Sequence, residues 1–234
     1  MLRAVTFDFW GTLADAHHSN IPYRVRVLAG RLAGVSQEEV LRAYEAAWQR
    51  FRQAMQAGYG LPPAAMLSMT LDFLGIALPP TSYAATLRQW EEAMLEDRPS
   101  LLPGALDVLR AVRRRGLAVG LICDTVLSPG RVIREFLWQL GARPLFDWLT
   151  FSNEIGATKH TPQPFRYTLR ALGVAPEQAL HVGDTPEADI VGARAVGMHT
   201  ALLLENSQRC EGAVQAEYVL ERLQDLPALL GVRQ

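Results

Sequence analysis

The chain has 234 residues, of which 49% are hydrophobic and 20% charged, with a formal net charge of -1. This balance is typical of a globular protein and excludes a disordered or fibrous chain. The near-neutral charge gives no reason to expect nucleic acid or an anionic membrane as a partner. Two cysteines, Cys123 and Cys210, are too few for a disulfide framework. With no apolar stretch of membrane-spanning length and no signal-peptide pattern, we expect a cytoplasmic protein.

Short apolar runs that alternate with helical patterns indicate the fold class. The first run, residues 2–8, reads as a strand that ends in an acid. Further strands are predicted at residues 117–123, 179–183, 199–204 and 217–220. Runs of this kind are typical of strands buried on both faces, and their alternation with helices predicts an α/β fold with a Rossmann-like parallel sheet.

Residues from about 15 to 100 differ, because they show helical patterns and no convincing strand. Ser36-Gln37-Glu38-Glu39 is a capping box that opens a long helix ending near Gly58. Further helices are predicted at residues 63–75 and 81–96 and before Gly34. We therefore predict a core formed by residues 1–14 and 100–234, interrupted by an all-α, four-helix segment at residues 15–99, called here the helical insert.

The second half of the chain contains well-delimited helices. A helix is predicted at residues 104–115, and Ser128-Pro129 predicts an N-cap followed by proline at the first helical position, with an end at Gly141. Two more helices are predicted to end at Gly173 and Gly197.

Acidic residues follow three of the predicted strands. Asp8, Asp124 and Asp184 all stand at carboxyl ends, the edge at which open α/β sheets bind ligands. Clustered carboxylates repel one another unless a cation lies among them, and Mg²⁺ is the hard cation that suits them. The chain has 23 Lys and Arg residues, yet only Lys159 is a lysine, which suggests a position that arginine cannot fill.

The order of these motifs resembles the haloacid dehalogenase (HAD) superfamily over essentially the whole chain. The resemblance rests on Asp8-Phe9-Trp10-Gly11-Thr12-Leu13, the helical insert, Cys123-Asp124-Thr125, Lys159 and Gly183-Asp184-Thr185-Pro186-Glu187-Ala188-Asp189. It implies a hydrolase in which Asp8 is the nucleophile and Thr12 belongs to the flexible turn that follows.

The same resemblance implies a cofactor and a role for the lysine. Asp8, the backbone carbonyl of Trp10 and Asp184 would hold Mg²⁺, with Asp189 as a direct or water-mediated ligand. Lys159 would contact Asp8 and the group being transferred. The implied substrate is a small molecule that carries phosphate.

The second motif departs from the family pattern, which places Ser or Thr at the strand end to bind phosphate. Here Cys123 stands at that position, followed by Asp124 and then Thr125. Because a thiol is a weaker donor than a hydroxyl, either Thr125 takes this role or the contact is weakened.

Trp10 is the departure with the largest consequence for function. Phosphatases of the family carry a second acid there, which protonates the leaving oxygen, and indole cannot do so. In one hypothesis the protein is still a phosphohydrolase, whose substrate needs little protonation or whose acid comes from Asp15, His17 or His18. In a second it is a 2-haloacid dehalogenase, because halide leaves without a proton. In a third it is a binding or regulatory protein on an enzyme scaffold.

The resemblance also implies that the helical insert closes over Asp8 as a cap and selects the substrate. Arg24, Arg52 and Tyr59 are candidate substrate contacts, whereas Trp48, Trp90 and Met55 are expected to pack the core of the insert. Its Trp and Leu side chains are also compatible with a homodimer.

Overall fold

Six parallel strands form one sheet in the order β3-β2-β1-β4-β5-β6. The structure is a computed structural model, and it describes residues 1–15, 20–205 and 216–231. The strands are β1 (Ala4–Phe7), β2 (Ala118–Cys123), β3 (Trp148–Phe151), β4 (Ala179–Gly183), β5 (His199–Leu203) and β6 (Tyr218–Leu220). The α/β fold with a parallel sheet, predicted from the sequence, is confirmed.

Five of the six strands lie inside the ranges predicted for them, and β3 was not predicted. This strand has four residues and pairs only with β2, at the edge of the sheet. Its first residue, Trp148, is 36% exposed. A strand of four residues that includes a threonine and an exposed tryptophan lacks the continuous apolar run that identified the others.

Helices cover both faces of the sheet. The helices are α1 (Ile21–Arg31), α2 (Gln37–Gln56), α3 (Pro63–Leu74), α4 (Pro80–Glu96), α5 (Ala105–Arg114), α6 (Gly130–Gln139), α7 (Ser152–Ile155), α8 (Gln163–Leu172), α9 (Val191–Arg194) and α10 (Leu226–Gly231). Val5 and Phe7 of β1 pack with α5, α6 and α10 on one face. Ala4 packs with α8 and α9 on the other face, as the alternation of side chains along a strand requires.

The four helices α1 to α4 of the helical insert bury a hydrophobic cluster of their own. Its centre consists of Leu28, Phe51, Met66, Leu67 and Trp90, none of which is exposed. The capping box at the start of α2 is present, since Ser36 and Glu39 exchange both of its hydrogen bonds. In the described residues, no helix is both long and apolar enough to cross a bilayer.

The end of α2 and the turn after it are joined to the loop before Lys159 by three hydrogen bonds. The backbone N–H of Thr158 donates to Gly58 O at 3.1 Å, and that of Gly60 donates to Gly156 O at 3.1 Å. The hydroxyl of Thr158 donates to Met55 O at 2.7 Å. The helical insert therefore contacts the sheet domain beside the only lysine of the chain.

Helix α6 begins one residue later than the sequence predicts. Its N-cap is Pro129, and Gly130 is the first helical residue. Ser128, the predicted N-cap, instead donates its hydroxyl to Glu91 O at 3.0 Å and accepts from Arg24 at 2.9 Å. The predicted cap is wrong because these contacts with the helical insert occupy the serine side chain.

Candidate active site

The strand-end acids meet at the point where the strand order reverses. Asp8 follows β1, Asp124 follows β2 and Asp184 follows β4, and β1 lies between the other two strands. Asp189 joins them from a π-helical turn, Pro186–Ile190. Single carboxylate oxygens of Asp8, Asp184 and Asp189 lie within 4.8 Å of one another. A reversal of this kind opens a crevice beyond the strand ends, where ligands bind.

Lys159 links three of the four acids. Its ammonium donates to Asp8 Oδ1 and, at 2.6 Å, to Asp189 Oδ1. Its backbone N–H donates to both oxygens of Asp124 at 3.2 Å. Only 4% of Lys159 is exposed, so the ion pairs are shielded from water and little screened by salt.

His181 supports Asp189 from behind the site. Its Nε2 lies 3.1 Å from Asp189 Oδ1, and its Nδ1 lies 2.8 Å from Thr6 Oγ1. A carboxylate only accepts hydrogen bonds, so Nε2 carries the proton and Nδ1 accepts from Thr6. Burial lowers the pKa of His181, which keeps the ring neutral, and the arrangement fixes the orientation of Asp189.

The four carboxylates together exceed the charge that one ammonium can balance. Burial, reinforced by Asp189, raises the pKa of Asp184 to about 6, and burial raises that of Asp124 to about 6. Burial also raises the pKa of Asp8 well above its usual range, although Lys159 opposes it. A buried cluster of oxygen ligands with excess negative charge fits Mg²⁺.

The pKa values of Asp189 and Lys159 are shifted in the directions expected of an ion pair. Burial alone would raise the pKa of Asp189, but Lys159 and His181 outweigh it and lower that pKa. Burial disfavours the ammonium, yet Asp189, Asp8 and Asp124 raise the pKa of Lys159 well above its usual range. Both groups are therefore charged.

The turn after β1 requires glycine at position 11. Gly11 has a φ of +81°, and a Cβ there would lie 2.3 Å from Asp184 Oδ2. The neighbouring Thr12 is fully buried, and its hydroxyl has no hydrogen-bond partner in the described part of the chain. This turn therefore brings the backbone close to the acidic cluster.

The second motif residues lie beside the site, with their polar atoms already engaged. Thr125 Oγ1 donates to Asn153 Oδ1 at 2.9 Å and lies 3.2 Å from Ser152 Oγ. The thiol of Cys123 donates to Asp124 O at 3.6 Å, and its pKa is raised well above the usual value by burial. Of these three residues, Asp124 lines the cavity between the strand ends and the helical insert.

A cavity of about 420 Å³ lies between the strand ends and the helical insert. Its walls are formed by Asp8, Trp10, Asn20, Ile21, Arg24, Tyr44, Trp48, Met55, Asp124, Val126, Leu127, Ser128, Lys159, His160, Thr185 and Ala188. Trp10 is half-buried and packs edge-on against Phe9, with ring centroids 4.8 Å apart. The cavity is the space in which a substrate could meet Asp8.

The structure places only some of the other predicted residues at the cavity. Arg24 lines the cavity, whereas Arg52 bonds to Gln49 on the surface and Tyr59 is 63% exposed. Trp90 is fully buried in the core of the helical insert, as expected.

Trp48 and Met55, expected to pack that core, contact it but also form part of the cavity wall. Asp15 lies outside the wall, with its backbone N–H bonded to Ser100 O at 3.0 Å. His17 and His18, the other two candidate acids, lie outside the described residues.

Two histidines of the site were missed by the sequence analysis. His160 lines the cavity next to Lys159, and its buried Nδ1 has no partner among the described residues. His181 lies inside β4, where a histidine between apolar residues gives no signal of its contact with Asp189. The position of His160 directly after the only lysine was a signal that could have found it.

Comparison with protein families gives one match that covers most of the chain. The model of the haloacid dehalogenase-like hydrolases, a hydrolase family, matches residues 2–197. Phosphoserine phosphatase of Thermus thermophilus is 40% identical over 113 residues, which are 47% of this chain and 44% of that protein. The chain thus matches about half the length of that relative.

A second relative matches over a longer segment. Glyceraldehyde 3-phosphate phosphatase of Methanopyrus kandleri is 29% identical over 212 residues, or 86% of this chain and 83% of that protein. Among solved structures, a HAD phosphatase from Thermococcus onnurineus has a TM-score of 0.68 at 25% identity, covering 98% of both chains. A 2-haloacid dehalogenase from Pseudomonas syringae has a TM-score of 0.75 at 20% identity, covering 99% of both, which shows the shared fold.

Proposed function

Because the chain belongs to the haloacid dehalogenase-like hydrolase family, we propose that it is a Mg²⁺-dependent phosphohydrolase acting on a small phosphorylated metabolite. The observation that carries the proposal is the largely buried cluster of Lys159 with Asp8, Asp184 and Asp189 beside a cavity. The relatives named as phosphatases support the same reaction.

In the first step a carboxylate oxygen of Asp8 attacks phosphorus, and the bond from phosphorus to the ester oxygen breaks. The products are an aspartyl phosphate on Asp8 and the alkoxide of the leaving group, which takes its proton from solvent. The ammonium of Lys159, held between Asp8 and Asp189, offsets negative charge on the phosphoryl oxygens as it develops. In the second step water attacks phosphorus and gives up a proton, the bond from phosphorus to the Asp8 oxygen breaks, and inorganic phosphate and the Asp8 carboxylate are released.

Asp8, Asp184, Asp189 and the Trp10 carbonyl are the groups that we propose as metal ligands. Bound Mg²⁺ would neutralise phosphate charge near Asp8 and so make the approach of two anions favourable. His181 and Thr6 hold Asp189 in one orientation, so this ligand is positioned before substrate arrives.

Trp10 limits which esters can react, because the alkoxide produced in the first step must find its proton elsewhere. Substrates with acidic leaving groups should therefore be cleaved faster than alkyl phosphates. His160 is the histidine of the cavity wall, and we propose that it takes the proton of the attacking water in the second step. Burial lowers the pKa of His160, which favours the neutral, basic form.

We propose that the chain is divided into a core, residues 1–14 and 100–234, and a cap, residues 15–99. The cavity between the two parts supports this division. Closure of the cap would exclude water from the reaction. A cytoplasmic location and a homodimer stay predictions.

The dehalogenase alternative is less well supported by the charges of the site. Halide and a 2-haloacid are both anions, and Asp124, Asp184 and Asp189 would repel them in the absence of a metal. A binding protein without catalysis would have no need of the ion pair between Lys159 and Asp8.

The test is phosphate release from acetyl phosphate, p-nitrophenyl phosphate and alkyl phosphates, each with Mg²⁺ and with chelator. Turnover that needs Mg²⁺ and disappears in Asp8→Asn would support the proposal. Asp72→Asn, which changes an exposed acid on α3, is the matched control. Chloride release from 2-chloropropionate without metal would favour the dehalogenase, and no turnover of any compound would favour a binding role.

A further inference from the structure

Arg24 is a buried arginine that the helical insert holds in one position. It lies in the first half of α1, and 1% of it is exposed. Its Nε donates to Trp90 O on α4 at 2.8 Å, and its Nη2 donates to Ser128 Oγ, before α6, at 2.9 Å. Two of the three guanidinium nitrogens are therefore fixed, and the plane of the group cannot rotate freely.

The third nitrogen of Arg24 lacks a partner. Nη1 is buried and makes no hydrogen bond with any residue that the structure describes. Arg24 also forms no ion pair with a carboxylate in residues 1–15, 20–205 and 216–231, although the charge of Asp97 acts on it from a distance. A buried cation with an unused donor is costly, so such a group in a native protein calls for an anion.

The space next to Arg24 is the cavity that also contains Asp8 and Lys159. Arg24 belongs to the helical insert, whereas Asp8 and Lys159 belong to the sheet side, so the two cationic side chains stand on different walls. Tyr44, Trp48 and Met55 supply uncharged surface on the same cavity. A ligand that spans it meets one cation at each wall.

We propose that Arg24 binds a carboxylate of the substrate through Nη1, so that the substrate is a small phosphate monoester that also carries a carboxylate. This inference rests on the proposed phosphohydrolase function, since it assigns the phosphate to Asp8 and Lys159.

A carboxylate fits this position better than a second phosphate. One guanidinium with one unused nitrogen matches a single negative charge, and a planar carboxylate suits the planar donor edge. A phosphate dianion would need further cations beside Arg24, and the described cavity wall has only Lys159 in addition, on the sheet side.

The test compares phosphoglycolate with its uncharged amide, which differ in the carboxylate alone. The wild-type protein with Mg²⁺ should prefer the acid in kcat/KM, and Arg24→Met should lower the ratio of acid to amide about 10- to 100-fold, the range for a charge-assisted hydrogen bond. Arg24→Lys, which keeps the charge but loses the fork, should give an intermediate ratio.

Two control variants separate binding from structure. Arg26→Met removes an exposed arginine from the same helix and should leave the ratio unchanged. Ser128→Ala removes one hydrogen bond that holds Arg24 but keeps the charge of Arg24. If Arg24 had a purely structural role, this variant would lower the ratio of acid to amide as Arg24→Met does.

The proposal is overturned if the wild-type protein hydrolyses both esters with equal kcat/KM, or if Arg24→Met lowers both equally. If no ester is hydrolysed, the proposed phosphohydrolase function is wrong. The role of Arg24 is then tested by ligand binding alone. Calorimetric titration of Asp8→Asn with phosphoglycolate and its amide should then show the same preference, lost on adding Arg24→Met. Equal binding of the two, or none, would also overturn it.

Discussion

Lys159 Nζ lies 2.6 Å from Asp189 Oδ1, and both side chains are almost fully buried. The same oxygen accepts a hydrogen bond from His181, so the lysine is positioned by an acid that is itself held in place. A third contact, from the ammonium to Asp8, brings this arrangement to the proposed nucleophile. If the ammonium moved away, the carboxylates of Asp8 and Asp189 would be left buried without a cation, which is unfavourable.

Lys159→Arg tests whether the compact ammonium is required. A guanidinium is wider and cannot occupy the space between Asp8 and Asp189 in the same geometry. We expect kcat/KM for p-nitrophenyl phosphate to fall about 100- to 1,000-fold, as when one charge-stabilising donor is removed. Arg166→Lys, an exposed replacement in the opposite direction, should leave it unchanged. Activity within threefold of wild type would contradict the role assigned to Lys159.

The affinity for Mg²⁺ should depend on pH through Asp184. Burial and Asp189 raise the pKa of Asp184 to about 6 in the metal-free protein, so the carboxylate is largely protonated below that pH. Because a metal must displace this proton, affinity should be full above about pH 7 and should fall by up to about tenfold per pH unit below 6. Calorimetric titrations at pH 5, 6 and 7.5 measure the effect, and a Kd that does not change would contradict it.

Trp10→Asp should restore the proton donor that the family pattern contains. The gain should appear for alkyl phosphates, about 100-fold, and be small for acetyl phosphate, whose leaving group needs no proton. Trp10→Phe is the control, since it keeps an aromatic ring next to Phe9 and adds no acid. The readout is the slope of log kcat/KM against leaving-group pKa. An identical slope in Trp10→Asp and wild type would show that residue 10 does not set it.

His160→Gln should slow the second step more than the first. With p-nitrophenyl phosphate, wild type and variant should release the first equivalent of nitrophenol at similar rates, after which the variant turns over about 100-fold more slowly. A burst of about one nitrophenol per protein is the signature in rapid-mixing experiments. His199→Gln, at the start of β5 and outside the cavity wall, should show no burst. The absence of a burst in His160→Gln would contradict the proposed role of His160 in the second step.

Gly192→Ala should displace the lysine loop. A Cβ on Gly192 would lie 2.3 Å from the backbone oxygen of Lys159 and 2.5 Å from Phe165 Cε2, so the backbone must move. We expect a loss of about 1–3 kcal/mol in the free energy of unfolding, together with lower kcat/KM. Gly30→Ala, on α1 with open space around it, should instead stabilise by up to about 1 kcal/mol. Urea unfolding curves distinguish the two.

The sequence was sufficient for the acidic cluster because its residues follow strands that are buried on both faces. The carboxyl ends of such strands share one edge of the sheet, so the sequence alone predicts that Asp8, Asp124 and Asp184 lie close together. The edge strand β3 could not be predicted, since four residues with an exposed Trp148 make no distinctive pattern.

The surroundings of Arg24 and Ser128 were beyond sequence reasoning for a different reason. Arg24, Trp90 and Ser128 come from α1, α4 and the segment before α6, and no local pattern reports their contact. For the same reason Ser128, a good helix cap by its residue type, was assigned to the wrong partner.

Three hydrogen bonds connect the end of α2 and the turn after it to residues 156–158, which lead directly to Lys159. A tilt of α2 would act on Thr158 through these bonds, and Thr158 is the immediate neighbour of Lys159. A movement of α2 would therefore reach the backbone directly before the residue that carries the ammonium. A substrate that draws the insert inward would shift the ammonium of Lys159 by the same movement, without a separate signal.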